Sequence, residues 1–408
     1  MPHIREYRYY VGKTRTVTVV KLLRGYNEWN SVDNPSGVSL AVPYETLTEI
    51  TKARTALWTI AATAQIFIAC RPAYVSPELI TEVRAAFAAR SAETTNLETN
   101  AILGTDGWFF SAPELRHVAG GKFWNDSPYQ STADDPLSTI VNFHQQLKKQ
   151  DVELLLVPVP PKSLIFPDKV GLSETLIPTP VPRLDPNHVE FYELLRQRGI
   201  PVLDLTERFL RERFHPENPL YCRLDTHWSG AGCVIAAQQI ADILKTRSWS
   251  NLFKTVQYVN QWSSTSISGN LVHNIDPPVA SEEIRLRLVA ANAGQDAGRS
   301  TVADSSPVVL LGDSHTLIYH SGGDMHAANG GLVDQLAFEL GLPIDLVAVR
   351  ESTATAALTA IRMRAEETPT YWTDKRIVVW CFAAQEFSAT DSWRPVSVLP
   401  QQTADEGH

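Results

Sequence analysis

From about residue 137 to residue 382, short apolar runs alternate with stretches in which apolar residues recur every three or four positions. The first pattern predicts buried strands and the second predicts helices. The predicted strands are Val152–Val159, Ile200–Leu205, Pro307–Leu311, Ile344–Val349 and Ile377–Phe382. The predicted helices are Leu137–Lys149, Asn187–Gln197, Gly230–Leu244 after an N-cap at Ser229, Leu332–Leu340 and Thr353–Ala365. This alternation predicts an α/β fold with a mostly parallel sheet covered by helices on both faces.

The first hundred residues follow a different pattern. Thr16–Val20 predicts a strand, and Pro77–Ala92 predicts a helix followed by a linker-like stretch. We therefore predict an N-terminal region of unknown role over residues 1–97 and a main domain over residues 98–395. Within the main domain, Phe253–Leu271 is rich in Gln, Ser and Asn and predicts an irregular or β insertion.

One apolar segment bears on the location of the protein. Ala56–Cys70 follows Lys52 and Arg54 and is stopped by Pro72, whereas the residues after Met1 are polar and do not resemble a signal peptide. The segment is short for a membrane span and contains Thr and Gln, so a signal-like segment, a marginal anchor and a core helix all fit it. A periplasmic or other extracytoplasmic location, with or without a membrane anchor, is thus permitted.

Composition narrows the class of partner. The chain has 408 residues, 44% of them hydrophobic, with a net charge of -9 and no basic run. Such a balance argues against nucleic acid, because phosphate backbones are bound by clustered Lys and Arg. Four cysteines fit either two disulfides or buried thiols. They are Cys70, Cys222, Cys233 and Cys381.

Candidate chemistry begins where the strand Pro307–Leu311 ends. It is followed at once by Gly312-Asp313-Ser314. A strand that ends in a glycine turn leaves the next hydroxyl at the carboxyl edge of the sheet, where α/β enzymes bind their ligands. Ser314 is therefore the candidate nucleophile.

Asp225 and His227 supply the remaining parts of a serine acyl-transfer site. A neutral imidazole can take the hydroxyl proton during attack and return it later. A carboxylate two residues earlier can hold the other ring nitrogen and stabilise the imidazolium that forms. For the oxyanion, the Ser314 N–H is the first expected donor, with Gly312 and Asn329 as further candidates.

Other interpretations remain open. Asp225 and His227 also fit a capped turn, and a Gly-Asp-Ser sequence is common where strands end. Histidines after the nucleophile, together with Asp324, fit either a metal site or a solvated loop. They are His315, His320 and His326. The serine route itself requires neither a metal nor a cofactor.

The order of these motifs resembles that of the alginate O-acetyltransferases of the AlgJ and AlgX type, a branch of the SGNH hydrolase-like superfamily. In most SGNH esterases the serine block comes first, whereas here Asp225 and His227 precede Ser314. Further stretches resemble family motifs: Gly104–Phe110, Val157–Lys162 with Phe166-Pro167, Tyr221–Ser229, Gly269–Leu271, and Val378–Trp380 with Glu386. The likeness runs from about Leu103 to Phe387. The glutamate that normally follows the tryptophan is absent after Trp380, and residues 1–100 match no motif.

The resemblance implies an SGNH-type three-layer α/β/α fold and a two-step transfer. Ser314 would accept an acetyl group, and His227 would then activate a sugar hydroxyl to receive it. The partners it implies are an extracytoplasmic, alginate-like polysaccharide and an acetyl donor that a membrane-bound O-acyltransferase supplies. Four tryptophans are candidates for stacking on sugar rings, although most tryptophans pack in cores. They are Trp108, Trp124, Trp228 and Trp262.

Two alternative functions use the same sequence features. A carbohydrate acetylesterase would pass the acetyl group from Ser314 to water. A glycan-binding scaffold of an export assembly would keep the three residues without using them.

Overall fold

The computed structural model divides the chain into two units, Met1–Tyr74 and Val75–His408. The residues that it describes are 4–10, 16–22, 29–33, 39–43, 75–94, 98, 100–125, 134–253, 255–292, 300–350, 353–389 and 392–399. The predicted boundary near residue 98 therefore lies inside the second unit. The apolar segment at 56–70, including Cys70, lies outside the described residues.

The first unit contains an antiparallel sheet with the strand order β1-β2-β3-β4. Its strands are β1 Ile4–Tyr10, β2 Thr16–Leu22, β3 Trp29–Asp33 and β4 Ser39–Pro43. The strand predicted at Thr16–Val20 is thus confirmed. Within the part of the chain that the structure describes, we find no helix with the length and apolarity needed to cross a bilayer.

The second unit alternates helices and strands. Its helices are α1 Pro77–Ser91, α2 Ala112–Ala119, α3 Pro136–Lys148, α4 Lys162–Ile165, α5 Pro186–Gln197, α6 Thr206–Glu212, α7 Gly230–Leu244, α8 Ser314–Leu317, α9 Leu332–Leu340 and α10 Ala354–Glu367. Its strands are β5 Ala101–Leu103, β6 Phe109–Ser111, β7 Glu153–Val159, β8 Tyr258–Ile267, β9 Glu282–Ala291, β10 Val308–Gly312, β11 Asp345–Ala348 and β12 Ile377–Ala383.

Four of these strands form a parallel sheet in the order β11-β10-β12-β7. Alternate residues of each strand face opposite sides, as the pleat requires. On β12, Val379 packs in one apolar core with α7 and α9, whereas Trp380 packs in a second core with α3 and α10. The sheet is therefore covered on both faces, which confirms the predicted three-layer α/β/α arrangement.

Helix caps explain why several predicted helices begin where they do. The Ser229 hydroxyl accepts a hydrogen bond from the Gly232 N–H and begins α7. Likewise the Thr353 hydroxyl accepts one from the Ala356 N–H and begins α10. Such side chains satisfy amide groups that have no partner inside the helix.

One predicted strand is shorter than expected, and the predicted insertion is confirmed as β structure. The strand expected at Ile200–Leu205 is reduced to one parallel bridge between Leu156 and Val202. Pro201 has no N–H to extend a ladder, which accounts for the short pairing. The insertion expected at Phe253–Leu271 is β8, the first half of a long antiparallel hairpin whose second half, β9, the sequence analysis did not predict.

A buried ion pair links the end of α10 to the start of β11 and β12. The Lys375 ammonium donates to the Asp345 carboxylate at 2.6 Å and to the Ser306 carbonyl at 3.0 Å. The Tyr371 hydroxyl donates to the same carboxylate at 2.8 Å. The two charged side chains are only 2% and 0% exposed.

Lys375→Met should destabilise the second unit by about 3 kcal/mol, because it removes the buried cation nearest the Asp345 carboxylate and leaves only the Arg364 guanidinium, 3.1 Å from the other carboxylate oxygen. Urea unfolding of the whole chain measures this loss. The matched control is Arg362→Met, which breaks a surface pair with Glu366 and should change stability by less than about 0.5 kcal/mol. Equal effects of the two substitutions would contradict this description of the core.

Candidate active site

The candidate nucleophile lies at the carboxyl end of β10. Gly312 ends the strand so close to β12 that a Cβ atom there would lie 2.2 Å from the Cys381 carbonyl oxygen. A glycine is needed for this approach. Asp313 then turns the chain, and Ser314 begins α8 with its side chain partly exposed.

Asp313 fixes the turn. Its carboxylate accepts the His315 N–H at 2.8 Å and the Ala383 N–H at 2.7 Å, and so joins α8 to the end of β12. Burial disfavours the charged form, but the interactions with His315 outweigh it and hold the pKa of Asp313 below its ordinary value. The aspartate of the Gly-Asp-Ser sequence therefore has a structural explanation.

The structure brings together the three residues that the sequence singled out. His227 Nε2 lies 2.8 Å from Ser314 Oγ, and His227 Nδ1 lies 2.6 Å from Asp225 Oδ1. When Nδ1 donates its proton to Asp225, Nε2 is left to accept the proton of the Ser314 hydroxyl. This is the relation between orienter, base and nucleophile that serine acyl transfer requires.

Asp225 is buried and surrounded by donors. Its Oδ1 also accepts the His227 N–H at 2.9 Å, while its Oδ2 accepts the Asn270 N–H at 2.9 Å and contacts His326 Nε2 at 2.9 Å. Burial alone would raise the pKa of Asp225, but the interactions with His227 and His326 outweigh it, and the pKa lies well below its ordinary value. The carboxylate is therefore charged at neutral pH.

The segment that carries Asp225 is clamped by the turn after β8. The Asn270 side chain accepts the Thr226 N–H at 2.9 Å and donates to the Thr226 hydroxyl at 2.8 Å. Gly269 allows this contact, because a Cβ atom there would lie 2.0 Å from the Leu224 carbonyl oxygen. The Gly-Asn pair noted in the sequence thus holds the segment with Asp225 and His227 in place.

A buried lysine also holds the segment that carries Asp225. Lys162, which begins α4 after β7, is 1% exposed. Its ammonium donates to the carbonyl oxygens of Phe109 at 2.6 Å, Arg223 at 3.1 Å and Asp225 at 3.0 Å. Burial lowers the pKa of Lys162 to about 8. The sequence analysis assigned Lys162 no role, although Lys162 lies in one of the stretches that resemble the family motifs.

Ser314, His227 and Lys162 line an open cleft at the carboxyl ends of β7, β10 and β12, and its empty space, including the part open to solvent, is about 430 Å³. Its lining residues are Glu114, Val159, Pro160, Pro161, Lys162, Tyr221, Thr226, His227, Asp313, Ser314, His315, Ala383, Ala384 and Gln385. Burial raises the pKa of Glu114, whose carboxylate accepts the Ser163 N–H at 2.7 Å. Ligands of open α/β sheets bind at this edge.

The structure does not support the roles expected for Gly312 and Asn329 as oxyanion donors or for Trp228 as a stacking residue. Gly312 and Asn329 do not line the cleft. Gly312 lies within β10, and Asn329 forms a left-handed turn whose carbonyl accepts the Val289 N–H at 2.8 Å. Trp228 is 0% exposed, so its ring has no face for a ligand. The Ser314 N–H remains the expected oxyanion donor, since the first amides of a helix have no acceptor inside it.

The other tryptophans proposed for sugar stacking are mostly packed inside the fold. Trp108 and Trp124 are buried, and Trp262 is half-buried beside the Arg285 guanidinium, 5.8 Å from its ring. Trp262 is thus the most exposed of the four candidates.

The three histidines after the nucleophile have different partners. The ring of His315 lies 4.7 Å from that of His227, and burial lowers the pKa of His315. His320 contacts Asp334 at 3.0 Å, whereas His326 contacts Asp225. Throughout the described ranges, we find no group of three or more His, Cys, Asp or Glu side chains placed to hold a metal ion.

The cysteines in the described part of the chain are free. Cys222, Cys233 and Cys381 are buried as thiols, and burial raises the pKa of each. Of the two interpretations that the sequence left open for these residues, buried thiols are confirmed.

Comparison with known proteins agrees with this geometry. Residues 101–384 match the family model described as SGNH hydrolase-like domain, acetyltransferase AlgX. A protein named probable alginate O-acetylase AlgJ from Pseudomonas putida is 25% identical over 228 residues, which cover 54% of this chain and 55% of that protein. The namesake from Pseudomonas syringae pv. tomato is 27% identical over 226 residues, covering 53% and 54%. The chain thus spans about half the length of the curated relatives that it matches.

Two solved structures share the fold. The O-acetyltransferase domain of Pseudomonas putida AlgJ has a TM-score of 0.53 at 17% identity, covering 71% of this chain and 92% of that one. Pseudomonas aeruginosa AlgX has a TM-score of 0.52 at 18% identity, covering 76% and 69%. With the family model matching most of the second unit, the chain belongs to the SGNH hydrolase-like family of AlgX-type acetyltransferase domains.

Proposed function

We propose that this protein is an O-acetyltransferase that carries an acetyl group on Ser314 and transfers it to hydroxyls of an alginate-like polysaccharide outside the cytoplasm. The observation that carries this proposal is the unbroken line of hydrogen bonds from Asp225 through His227 to Ser314. Membership of the AlgX-type family and likeness to proteins named alginate O-acetylases support the acetyl group and the glycan.

In the first step, Ser314 Oγ attacks the acetyl carbonyl of the donor while His227 Nε2 takes the hydroxyl proton. Asp225 stabilises the imidazolium, and the Ser314 N–H is the expected donor to the oxyanion. The tetrahedral intermediate collapses, the donor's bond to the acetyl group breaks, and its leaving group departs with the proton from His227. Ser314 is left as an acetyl ester.

In the second step, a sugar hydroxyl attacks the acetyl ester while His227 accepts its proton. The bond to Ser314 Oγ then breaks, and the proton returns from His227 to the serine. We expect a membrane-bound O-acyltransferase to supply the donor. The donor and the acceptor thus react in turn with the help of the same base, His227.

A trapping experiment tests the nucleophile. Brief incubation with p-nitrophenyl acetate, acid quenching and peptide mass spectrometry should find one acetyl group, on Ser314. Ser314→Ala should neither acquire this group nor release nitrophenol faster than water does. The exposed Ser305 provides a matched control, because Ser305→Ala should behave as the unaltered protein. Acetyl-enzyme that forms equally in Ser314→Ala would contradict the proposed nucleophile.

The same reaction in the presence of alginate oligosaccharides identifies the acceptor. A transferase yields acetylated oligosaccharides by mass spectrometry. Release of free acetate alone, at a rate that the sugar does not change, would instead favour a carbohydrate acetylesterase. Binding of the polymer with no activity that depends on Ser314 would favour a scaffold.

Asp225→Asn should lower kcat by roughly 10³–10⁴-fold with little change in KM, because the amide no longer holds His227 in the tautomer that accepts the serine proton. Steady-state hydrolysis of p-nitrophenyl acetate measures both constants. Asp324→Asn is the matched control, since Asp324 is exposed and pairs with exposed Arg350. A loss below tenfold in Asp225→Asn would exclude the orienting role.

Activity should decline above about pH 8, because the Lys162 ammonium has a pKa of about 8 and its neutral form has one N–H too few for the three carbonyls that it holds. Lys162→Met should lower kcat/KM at pH 7 and remove this alkaline limb. Lys169→Met, on the surface beside Asp106, should keep it. Circular dichroism confirms that each variant is folded, and a folded Lys162→Met with an unchanged alkaline limb would refute the assignment.

A further inference from the structure

His326 contacts the catalytic carboxylate from a loop that the proposed mechanism does not use. It follows a short 3-10 turn, Gly323–Met325, in the loop after α8. Its Nε2 lies 2.9 Å from Asp225 Oδ2, although the two residues are 101 positions apart in the chain. Its side chain is only 13% exposed. A solvated loop histidine would have neither the burial nor the partner.

The loop holds His326 in an unfavourable backbone conformation. Its φ of 67° lies in the left-handed region, which residues other than glycine rarely adopt. Backbone hydrogen bonds from Tyr319 to Met325 at 2.9 Å and from Gly322 to Ala327 at 2.8 Å close the loop around it. Such strain persists where surrounding contacts impose it, and it is concentrated at functional sites.

The contact gives Asp225 an imidazole on each oxygen. His227 Nδ1 lies 2.6 Å from Oδ1 and His326 Nε2 lies 2.9 Å from Oδ2, where the Asn270 N–H also donates at 2.9 Å. A carboxylate held on both sides cannot rotate away from His227. A hydrogen bond from His326 also withdraws negative charge from the carboxylate, and so weakens its attraction for a proton on His227.

We propose that His326 is a positioning residue of the active site, which donates from Nε2 to Asp225 and thereby sets both the orientation of that carboxylate and the basicity of His227. This inference rests on the proposed function of the Ser314 site. Both the neutral Nε2–H tautomer and the cation of His326 donate to Asp225. In either state its removal leaves a more negative carboxylate and a more basic His227.

Other charged or titratable groups border the same imidazoles and stay in place when His326 is changed. His315 lies beside His227, and Asp313 lies beside His315. Lys162 holds the Asp225 carbonyl, and Glu282 accepts the N–H of Leu224. The ring of Tyr319 lies 6.2 Å from that of His326. A change in the titration of His227 upon substitution of His326 is therefore assigned to His326 itself.

Two substitutions test the inference in the full chain. His326→Ala should lower kcat for p-nitrophenyl acetate by roughly 10–100-fold with little change in KM, as loss of a supporting partner does. His326→Ala should also move the acid limb of the pH profile of kcat/KM, where activity falls as His227 becomes protonated, to higher pH. His326→Gln keeps an N–H donor, so it should recover part of kcat and return the acid limb toward its original position.

His320→Gln is the matched control, because His320 lies in the same loop but contacts Asp334 instead of Asp225. It should leave the acid limb where it is. The proposed role of His326 is wrong if the acid limb moves equally in His320→Gln or stays unchanged in His326→Ala. Even then, an inactive Ser314→Ala would still support Ser314 as the nucleophile.

A second readout does not depend on activity. ¹⁵N NMR of histidine side chains reports the titration of His227 directly in the unaltered protein and in His326→Ala. The pH at which the His227 signals change should be higher in the variant. An equal or lower value overturns the inference even if the protein proves to have no acetyltransferase activity, so the two proposals fail by different observations.

Discussion

The active site depends on the burial of one negative charge. An ionised carboxylate inside a protein is unfavourable unless donors surround it, and Asp225 receives donors from three separate segments. His227 comes from its own segment, Asn270 from the turn after β8, and His326 from the loop after α8. Satisfying this carboxylate therefore fixes the relative positions of the segments that carry His227 and Ser314, and the geometry of the candidate site follows from a requirement of folding.

The parallel sheet supplies the second constraint. Because its strands run in one direction, β7, β10 and β12 end at the same edge and deliver Lys162, Ser314 and the Ala383 amide to one cleft. Asp313 joins the ends of β10 and β12, because its carboxylate accepts the Ala383 N–H, and Lys162 joins the end of β7 to the segment that carries Asp225. These contacts hold the Ser314 hydroxyl and the His227 imidazole at hydrogen-bonding distance, and acyl transfer depends on preorganisation of this kind.

Much of this arrangement could be predicted from local sequence. Apolar runs located the sheet, Ser229 marked the start of α7, and motif order placed Ser314 with Asp225 and His227. What local sequence cannot supply is burial and long-range contact: Trp228 looked available for stacking but is enclosed by the core. Likewise the contact of His326 spans 101 positions, and no local pattern identifies its partner. The hairpin strand β9 was missed although the sequence carries its signal, since apolar Ile284, Leu286 and Leu288 alternate with charged residues as in a half-buried strand.

The central claim is that buried Asp225 holds the His227 imidazole through a short hydrogen bond to Nδ1, with Nε2 directed toward Ser314. Proton NMR of the unaltered chain tests it most directly, since the short hydrogen bond between His227 Nδ1 and Asp225 should move that proton far downfield of the amide region. The account predicts a resonance there that is lost in Asp225→Asn and in His227→Gln but retained in Ser314→Ala. A downfield region with no such resonance, or a resonance that survives in Asp225→Asn, would contradict it.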